Sequence, residues 1–214
     1  MIKLTNVSKA YPRDGQALRA IQDLSLTIGK SDRVGVIGKN GSGKSTLIRL
    51  IGGAEIPTLG TIERRMSVSW PLAMRGGMSP HLSGLSNIRF LSRVYQLPFE
   101  DMVEVVKEFS ELGDRLKDPV STYSSGMRAK FSFGVSLTIE FDCYLIDEIV
   151  AVGDKIFRKK CRRELVEKRG DRAMLMVAHQ ANTIQQYCNS CILMENGRIL
   201  DRFDTNERSW RKYA

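Results

Sequence analysis

Long apolar runs are missing from this sequence of 214 residues. No stretch approaches the roughly 18–20 apolar residues that a membrane-crossing helix needs. The N-terminal Met-Ile-Lys-Leu-Thr-Asn also lacks the basic-then-apolar layout of a secretory signal. We therefore predict a cytosolic chain, unless a partner holds it at a membrane.

Histidine and cysteine are scarce, with two and four residues. The cysteines form no disulfide framework, and a cytosolic chain would keep them reduced. Cys188 and Cys191 have the spacing of half a zinc site, but no second pair completes the four ligands that zinc usually needs. We therefore expect no zinc site here, and we expect Cys143 to pack in a buried strand.

Tandem repeats and low-complexity linkers are also absent, and the composition, 42% hydrophobic and 27% charged, is typical of a globular protein. The length suits one α/β domain or two small ones. A formal net charge of +9 is compatible with nucleic acid, anionic lipid or an acidic partner. Because lysine and arginine are spread along the chain, we favour a solubilising surface and expect no nucleic acid partner.

Apolar periodicity predicts strands that alternate with helices, and hence an α/β fold with a mainly parallel sheet. Alternation within 1–30 predicts an N-terminal antiparallel β subdomain with a turn at Asp14-Gly15. Buried parallel strands are predicted at 32–38, 141–146 and 173–177, and a hairpin around Asn196-Gly197. Helices are predicted from Lys44 and at 86–96, 98–112, 125–139 and 155–169. We expect one domain over 1–214, with an inserted helical subdomain at about 70–135 that begins irregularly around Trp70-Pro71.

The clearest motif is Gly38-Lys-Asn-Gly-Ser-Gly-Lys-Ser-Thr46, which matches G-x-x-x-x-G-K-[ST] between a predicted strand and a predicted helix. Glycines let backbone N–H groups converge on phosphate oxygens, and the helix N-terminus adds partial positive charge. Lys44 should reach the β- and γ-phosphates, and the Ser45 hydroxyl should hold Mg²⁺. The predicted ATP-binding residues of this loop are Gly38, Asn40, Gly41, Ser42, Gly43, Lys44, Ser45 and Thr46.

Two acids, Asp147 and Glu148, follow the strand at 141–146. Asp147 would bind Mg²⁺ through water, because hard cations prefer oxygen ligands. Glu148 would orient or deprotonate an attacking water as a catalytic residue. A strand capped by solvated acids is the alternative, and the phosphate loop upstream favours the catalytic interpretation.

His179 follows the strand at 173–177, on the rim where ligands bind in such sheets. A histidine there can contact a γ-phosphate or the attacking water, so we predict a second catalytic residue. A purely structural histidine is the alternative.

Taken together, these motifs resemble the nucleotide-binding subunit of an ABC transporter over essentially the whole chain. Tyr123-Ser-Ser-Gly-Met127 occupies the position of that family's signature loop, well after the phosphate loop and before Asp147. The resemblance places Ser124, Ser125 and Gly126 in this loop, with Ser124 and Gly126 binding the γ-phosphate held by a second copy. Such a site requires a head-to-tail homodimer. A Ser-Ser-Gly sequence by itself is only a turn or a helix cap.

The resemblance also gives roles to two other segments. Tyr11 falls where the family places an aromatic residue that stacks on adenine, and the alternative is a tyrosine that fills the sheet edge. Residues 151–154, Ala-Val-Gly-Asp, take the place of the family's dimer-contacting loop.

Two departures narrow the resemblance. The family's usual glutamine before the helical subdomain is missing from Ser67-Val-Ser-Trp-Pro-Leu72, and the signature ends in Met127 rather than glutamine. With Gly76-Gly77 and the Ala-Val-Gly-Asp loop, these features are similar to the ATPases that export capsular polysaccharide in Gram-negative bacteria. ATPases that export O-antigen or teichoic acid share parts of the set and stay open as alternatives.

The implied protein is a homodimeric ATPase with ATP and Mg²⁺ as cofactors. It would be peripheral at the cytoplasmic side of the inner membrane, with an integral membrane permease and the polysaccharide export machinery as partners. The helical subdomain would dock a permease helix in a groove rich in methionine and aromatic residues. The candidate docking residues are Trp70, Leu72, Met74, Met78 and Phe90. Ordinary core of the subdomain is the alternative, since apolar residues at helical spacing are usually buried.

Other classes of ATPase fit the sequence less well. Related ATPases of chromosome proteins carry a long coiled coil between the phosphate loop and the signature, and nothing here has sustained heptads. Ribosomal relatives carry two such domains in one chain. A P-loop kinase or GTPase leaves the signature segment and His179 without a role.

Overall fold

The computed structural model describes residues 1–13, 16–72, 77–147, 155–178 and 180–207, together with Trp210 and Tyr213. The chain divides into two compact units. Unit 1 comprises Met1–Ser69, Phe141–Glu148 and Arg169–Ala214, and unit 2 comprises Trp70–Glu140 and Ile149–Lys168. Within the described ranges, no helix combines the length and the apolar character that crossing a membrane requires.

A three-stranded antiparallel sheet begins unit 1. Its strands are β1 (Ile2–Arg13), β2 (Gln16–Ile28) and β4 (Leu59–Arg64), in the order β2-β1-β4. Arg13 lies opposite Gln16 in the register, which confirms the predicted antiparallel pair, although Asp14 and Gly15 lie outside the described residues. β4 is missing from the sequence-based prediction because five of its six residues are exposed and form no apolar pattern.

The larger sheet has six strands in the order β5-β6-β7-β3-β8-β9. They are β3 (Arg33–Ile37), β5 (Val68–Leu72), β6 (Cys143–Asp147), β7 (Ala173–Val177), β8 (Ser190–Glu195) and β9 (Arg198–Asp204). The four strands β6, β7, β3 and β8 run parallel, and β9 is antiparallel to β8. Every residue of β3 and β7 is buried, as interior parallel strands require. The predicted mainly parallel sheet and C-terminal hairpin are confirmed.

One part of the middle region differs from the prediction. Trp70 and Pro71 do not lie in an irregular segment but in β5, at one edge of the larger sheet. Proline removes a backbone donor, and an edge strand tolerates that loss because one of its sides has no strand to pair with. Because proline is unfavourable in most strands, the sequence around Pro71 did not predict this strand.

A single hydrophobic core links both sheets of unit 1 to helix α1 (Lys44–Ile51). The helix buries Leu47 and Ile51 beside residues of the larger sheet such as Val34 and Leu145, and residues of β1 and β2 such as Ile2 complete the cluster. This packing fixes the strand–loop–helix segment of β3 and α1. A second short helix, α6 (Ala181–Tyr187), was too short and polar for the periodicity to predict it.

Unit 2 is helical. It contains α2 (Gly84–Tyr95), α3 (Phe99–Ser110), α4 (Ser125–Leu137) and α5 (Lys155–Arg162). The predicted helices at 86–96, 98–112 and 125–139 are confirmed as α2, α3 and α4, with ends shifted by two residues at most. α5 is shorter than predicted, because residues Arg163–Glu167 continue it as a π-helix. Ile88, Val106 and Phe131 lie at the centre of a core that joins α2, α3 and α4.

Positive charge is concentrated in α5, which opens the segment 155–169 that the sequence predicts as a basic amphipathic helix. Five of its eight residues are lysine or arginine, while Phe157 and Cys161 are buried. Lys160 forms an ion pair with Glu111, and Lys155, Lys159 and Arg162 are exposed. One face of this helix is therefore strongly basic.

All four cysteines are buried and free of disulfides. Burial raises the pKa of each thiol to about 12. Cys143 opens the buried strand β6, as predicted. Because the thiolate is the reactive form, these side chains act as small apolar groups at neutral pH.

Arg33 is a buried cation at the start of β3, with 8% of its surface exposed. Its Nε donates to Tyr187 O at 2.7 Å, and its Nη1 donates to Arg169 O at 3.0 Å and to Arg172 O at 3.4 Å. Burial lowers the pKa of Arg33. The guanidinium thus ties the start of the central strand to two chain segments that follow much later in the sequence.

We expect Arg33→Met to lower the free energy of unfolding by about 2–4 kcal/mol. Three carbonyl oxygens lose a charged hydrogen-bond donor, and a buried carbonyl oxygen without a partner destabilises the folded state. Urea denaturation followed by circular dichroism measures the effect. Arg198→Met, at an exposed position of β9, is the matched control and should stay within about 0.5 kcal/mol of the parent. Equal losses in both variants would contradict the structural role of Arg33.

Candidate functional site

The loop between β3 and α1 follows a path that requires glycine. Gly38 and Gly43 have φ values of 148° and 105°, which favour glycine over residues with a Cβ. A Cβ on Gly43 would lie 2.5 Å from the Ala20 carbonyl oxygen, and a Cβ on Gly38 would overlap the Met194 carbonyl. Both positions therefore let the loop pass close to neighbouring backbone.

Positive charge gathers at this loop. Lys44 is buried as the first residue of α1, and its Nζ donates to Gly38 O at 2.7 Å and to Lys39 O at 3.0 Å. Gly43, at the N-cap, supplies no side-chain hydrogen bond to the first turn of the helix. The ammonium and the positive end of the helix dipole thus lie at the same loop, which is the arrangement that binds phosphate.

Ser42 connects the loop to the C-terminal hairpin. Its carbonyl accepts a hydrogen bond from Gly197 N at 3.0 Å, and its own N–H donates to Lys39 O at 3.2 Å. Its side-chain oxygen Oγ is buried, and the described part of the chain offers that atom no hydrogen-bond partner. An unsatisfied polar atom inside a glycine-rich loop is what a site for a polar ligand would contain.

A cavity of about 340 Å³ opens beside the loop, a volume within the range of small-molecule sites. It brings together eight of the residues predicted from the sequence, with three others. The lining residues are Tyr11, Leu18, Ala20, Asn40, Gly41, Gly43, Lys44, Ser45, Thr46, Asp147 and Val177. Gly38 and Ser42 belong to the loop but do not line the cavity.

The donor set suited to a divalent cation is present in this cavity. Ser45 is the second residue of α1, and Asp147 ends β6, so two separate elements bring a hydroxyl and a carboxylate to one cavity. Oxygen donors of this kind are those that Mg²⁺ prefers. The residues therefore fit Mg²⁺ accompanied by phosphate oxygens.

Several predicted residues lie outside the described part of the chain. These are Glu148, His179, Met74 and the segment 151–154. Asp147 directly precedes Glu148, and Ala178 directly precedes His179. Asp147 pairs with Val177 in the register of the parallel strands β6 and β7, so two neighbouring strands end at the same sheet edge.

The predicted signature segment is the N-terminus of α4 in unit 2. Ser124 Oγ accepts a hydrogen bond from Met127 N at 3.2 Å and caps the helix. Ser124 and Ser125 are exposed, and open space lies where a Cβ of Gly126 would be. An exposed helix N-terminus with small residues is accessible to an anion.

The predicted docking residues are placed differently from one another. Leu72 and Met78 are 1% and 7% exposed, which favours their alternative role as core. Trp70 is half-buried, and its Nε1 donates to Ser136 Oγ at 2.9 Å. Phe90 of α2 is 52% exposed, so it is the one described candidate that presents much of its side chain to solvent.

Sequence reasoning missed one lining residue for which a signal existed. Leu18 lies opposite Tyr11 in the β1–β2 register, and both side chains line the cavity. A two-residue turn at 14–15 implies that pairing, so the register follows from the turn signal.

Sequence reasoning also missed two charged residues that contact Tyr11. The Tyr11 hydroxyl donates to Glu55 Oε2 at 2.5 Å, and Arg49 Nε donates to Glu55 Oε1 at 2.6 Å. Burial works to raise the pKa of Glu55, but these hydrogen bonds outweigh it and the pKa is lowered. The hydrogen bond with Tyr11 is the main cause that raises the pKa of Arg49. Their spacing in the sequence gives no motif.

Comparisons with known proteins agree with this geometry. A family model described as ABC transporter matches residues 21–151. The chain is 45% identical over 213 residues to the ATP-binding protein BexA of Haemophilus influenzae, covering 100% of this chain and 98% of BexA. It is 44% identical over 213 residues, with the same coverage, to the capsule polysaccharide export ATP-binding protein CtrD of Neisseria meningitidis serogroup B.

Among solved structures, the chain is similar to the dimeric ATP-binding cassette MJ0796 in a post-hydrolysis state bound to ADP and Pi. The TM-score is 0.83, the match covers 96% of this chain and 99% of that one, and the sequence identity is 19%. This likeness concerns the fold, and it agrees with the predicted α/β architecture.

Proposed function

Because the chain belongs to the ABC transporter family, among the ATP-binding proteins of capsule polysaccharide export, we propose that it binds and hydrolyses ATP to drive export of a capsular polysaccharide. The cavity carries this proposal, since the glycine loop, Lys44 and Asp147 converge there. The full-length similarity to CtrD supports the choice of substrate class.

The triphosphate would lie along the loop, with its oxygens facing the backbone N–H groups and the N-terminus of α1. Lys44 would hold the β- and γ-phosphates and offset the negative charge that develops as the terminal phosphate leaves. Ser45 and Asp147 would hold Mg²⁺, the latter through water. When bound, Mg²⁺ neutralises part of the charge on the phosphate oxygens.

Hydrolysis needs an activated water, and we assign that task to Glu148. Its carboxylate would take a proton from the water as the new phosphorus–oxygen bond forms and the bond to ADP breaks. His179 would contact the γ-phosphate or the same water. Both roles rest on sequence position, since Glu148 directly follows β6 and His179 comes two residues after the end of β7.

The second copy of the chain would complete the site. Ser124, Ser125 and Gly126 form an exposed helix N-terminus in unit 2, which is suited to the γ-phosphate held by the partner's loop. Two such sites in a head-to-tail pair would bind two ATP molecules. Closure on ATP and release after hydrolysis would then drive a membrane permease.

The subunit would sit at the cytoplasmic face of the inner membrane, held there by the permease. Burial of Leu72 and Met78 moves the proposed docking surface to α2, where Phe90 and Val94 are 52% and 55% exposed. These side chains lie four positions apart on one helix face. An apolar permease helix would pack against them.

Deletion of the encoding gene tests the proposed export function. We expect the capsular polysaccharide to disappear from the cell surface and to accumulate inside the cell, because synthesis continues without export. Surface staining and fractionation with an antibody to the polysaccharide measure both pools. The unaltered gene should restore the surface signal, whereas the Lys44→Ala form should not. A normal capsule in the deletion strain would contradict the proposal.

A further inference from the structure

A hydrogen-bonded network surrounds the hydroxyl of Tyr11. Glu55 accepts from Tyr11 through Oε2 at 2.5 Å and from Arg49 through Oε1 at 2.6 Å. Arg49 Nη2 also lies 3.3 Å from the Tyr11 hydroxyl and 3.2 Å from Thr46 Oγ1. Both oxygens of the Glu55 carboxylate are therefore engaged, and the Arg49 guanidinium contacts three side chains.

This network connects β1 with the first turn of α1. Tyr11 belongs to β1, whereas Thr46 belongs to the first turn of α1, directly after the residues of the phosphate loop. The Tyr11 hydroxyl lies 3.4 Å from Thr46 Oγ1. Both residues line the cavity, and Arg49 contacts both of them while Glu55 holds Arg49 and Tyr11 together.

Lys9 restricts the ring from one side. Its Nζ lies 5.2 Å from the centroid of the Tyr11 ring, 3.5 Å from Glu55 Oε2 and 3.0 Å from the Ile56 carbonyl oxygen. A cation above one face is attracted to the ring quadrupole and occupies that face. A base that stacks on Tyr11 must therefore use the other face.

We propose that Arg49 and Glu55 are positioning residues that hold the Tyr11 ring at a fixed place beside the phosphate loop, and so set how much the nucleobase adds to ATP affinity. This inference rests on the proposed function, because it requires ATP in the cavity. Glu55 is central, since its carboxylate pairs with both Lys9 and Arg49 and accepts a hydrogen bond from the Tyr11 hydroxyl. The side chains of Lys9, Glu55 and Arg49 are 16%, 21% and 42% exposed, so solvent weakens the contacts of Arg49 most.

Two ligands separate the base from the phosphates in the test. The affinity for ATP depends on the whole site, whereas the affinity for inorganic tripolyphosphate depends on the phosphate loop alone. Calorimetry with Mg²⁺ present would measure both affinities for the parent, Tyr11→Phe, Glu55→Ala and the double variant. Tyr11→Phe keeps the stacking ring and removes only the hydroxyl. The control is Glu63→Ala on β4, which breaks the exposed ion pair between Glu63 and Arg65.

We expect Tyr11→Phe and Glu55→Ala each to weaken ATP binding about 3- to 10-fold, the usual net contribution of one hydrogen bond. Tripolyphosphate affinity should stay within about twofold of the parent. Both substitutions break the same network. The double variant should therefore bind ATP only slightly more weakly than the single variant with the larger loss of affinity. Glu55→Gln, which keeps an acceptor for Tyr11, should recover part of the loss.

Three results would overturn the inference. A parallel fall in tripolyphosphate affinity would mean that the substitutions distort the loop itself. Unchanged ATP affinity in both single variants would show that the network does not affect binding. Fully additive losses in the double variant would show that Glu55 does not act through Tyr11.

The proposed function and the inference fail in different ways. If the parent chain binds neither ligand, the phosphate site is absent and both fall. If the parent binds tripolyphosphate as tightly as ATP, the phosphate site stands, but the base contributes nothing and the positioning role is wrong.

Discussion

Lys44→Ala should weaken MgATP binding by at least about 100-fold and abolish turnover, since the phosphates lose two charge-assisted hydrogen bonds of about 1.5–3 kcal/mol each. The ammonium lies over the loop, bonded to the Gly38 and Lys39 carbonyl oxygens. A smaller side chain leaves the phosphate charge to the backbone N–H groups alone.

Calorimetric titration with MgATP and a phosphate-release assay measure the two effects. Lys30→Ala, an exposed lysine in the turn before β3, removes the same charge away from the cavity and should change affinity less than about twofold. Thermal unfolding checks that the loop still folds without its lysine. Equal ATP affinity in the Lys44 variant and the parent would remove the phosphate-loop assignment.

Glu148→Gln should lower turnover by about 10²- to 10⁴-fold, the usual contribution of a general base, while ATP binding persists. The amide has nearly the shape of the carboxylate but cannot accept the proton of the attacking water. Nucleotide that is bound but not hydrolysed would hold two copies together through Ser124 and Gly126. We therefore expect a dimer with MgATP and a monomer without it, measured by size-exclusion chromatography with light scattering.

Glu195→Gln is the matched control for this variant. Glu195 is an exposed carboxylate that ends the parallel strand β8, as Glu148 follows β6, and its loss should leave turnover unchanged. Normal turnover in the Glu148 variant would assign the catalytic carboxylate elsewhere. Loss of turnover without a dimer would keep the catalytic role and remove the shared site.

The glycine loop was predictable because its motif carries its own physical context. A buried apolar strand precedes Gly38 and an amphipathic helix follows Gly43, so periodicity fixes both ends of the loop. The structure confirms this strand and this helix, and it places Lys44, Ser45 and Asp147 around one cavity. Local sequence patterns therefore suffice to predict a site when the strand and the helix on either side of it each have a clear apolar periodicity.

Long-range contacts explain what the sequence did not show. Arg49 and Glu55 join Tyr11 only because α1 packs near β1, a proximity that no spacing encodes. Leu72 and Met78 have the same apolar character as exposed Phe90, and only packing decides which of them is buried. Residues Arg163–Glu167 leave the α-helical path without any proline or glycine to signal it.

The hydrogen bond from Gly197 to Ser42 has a consequence for biosynthesis. The central strand β3 also pairs on both sides with β7 and β8, which a ribosome makes long after the glycine loop. A nascent chain therefore exposes the apolar strand and an unsupported loop during most of translation, when such surface is prone to aggregate. The loop gains its hydrogen bond from the hairpin only when nearly the whole polypeptide has been synthesised.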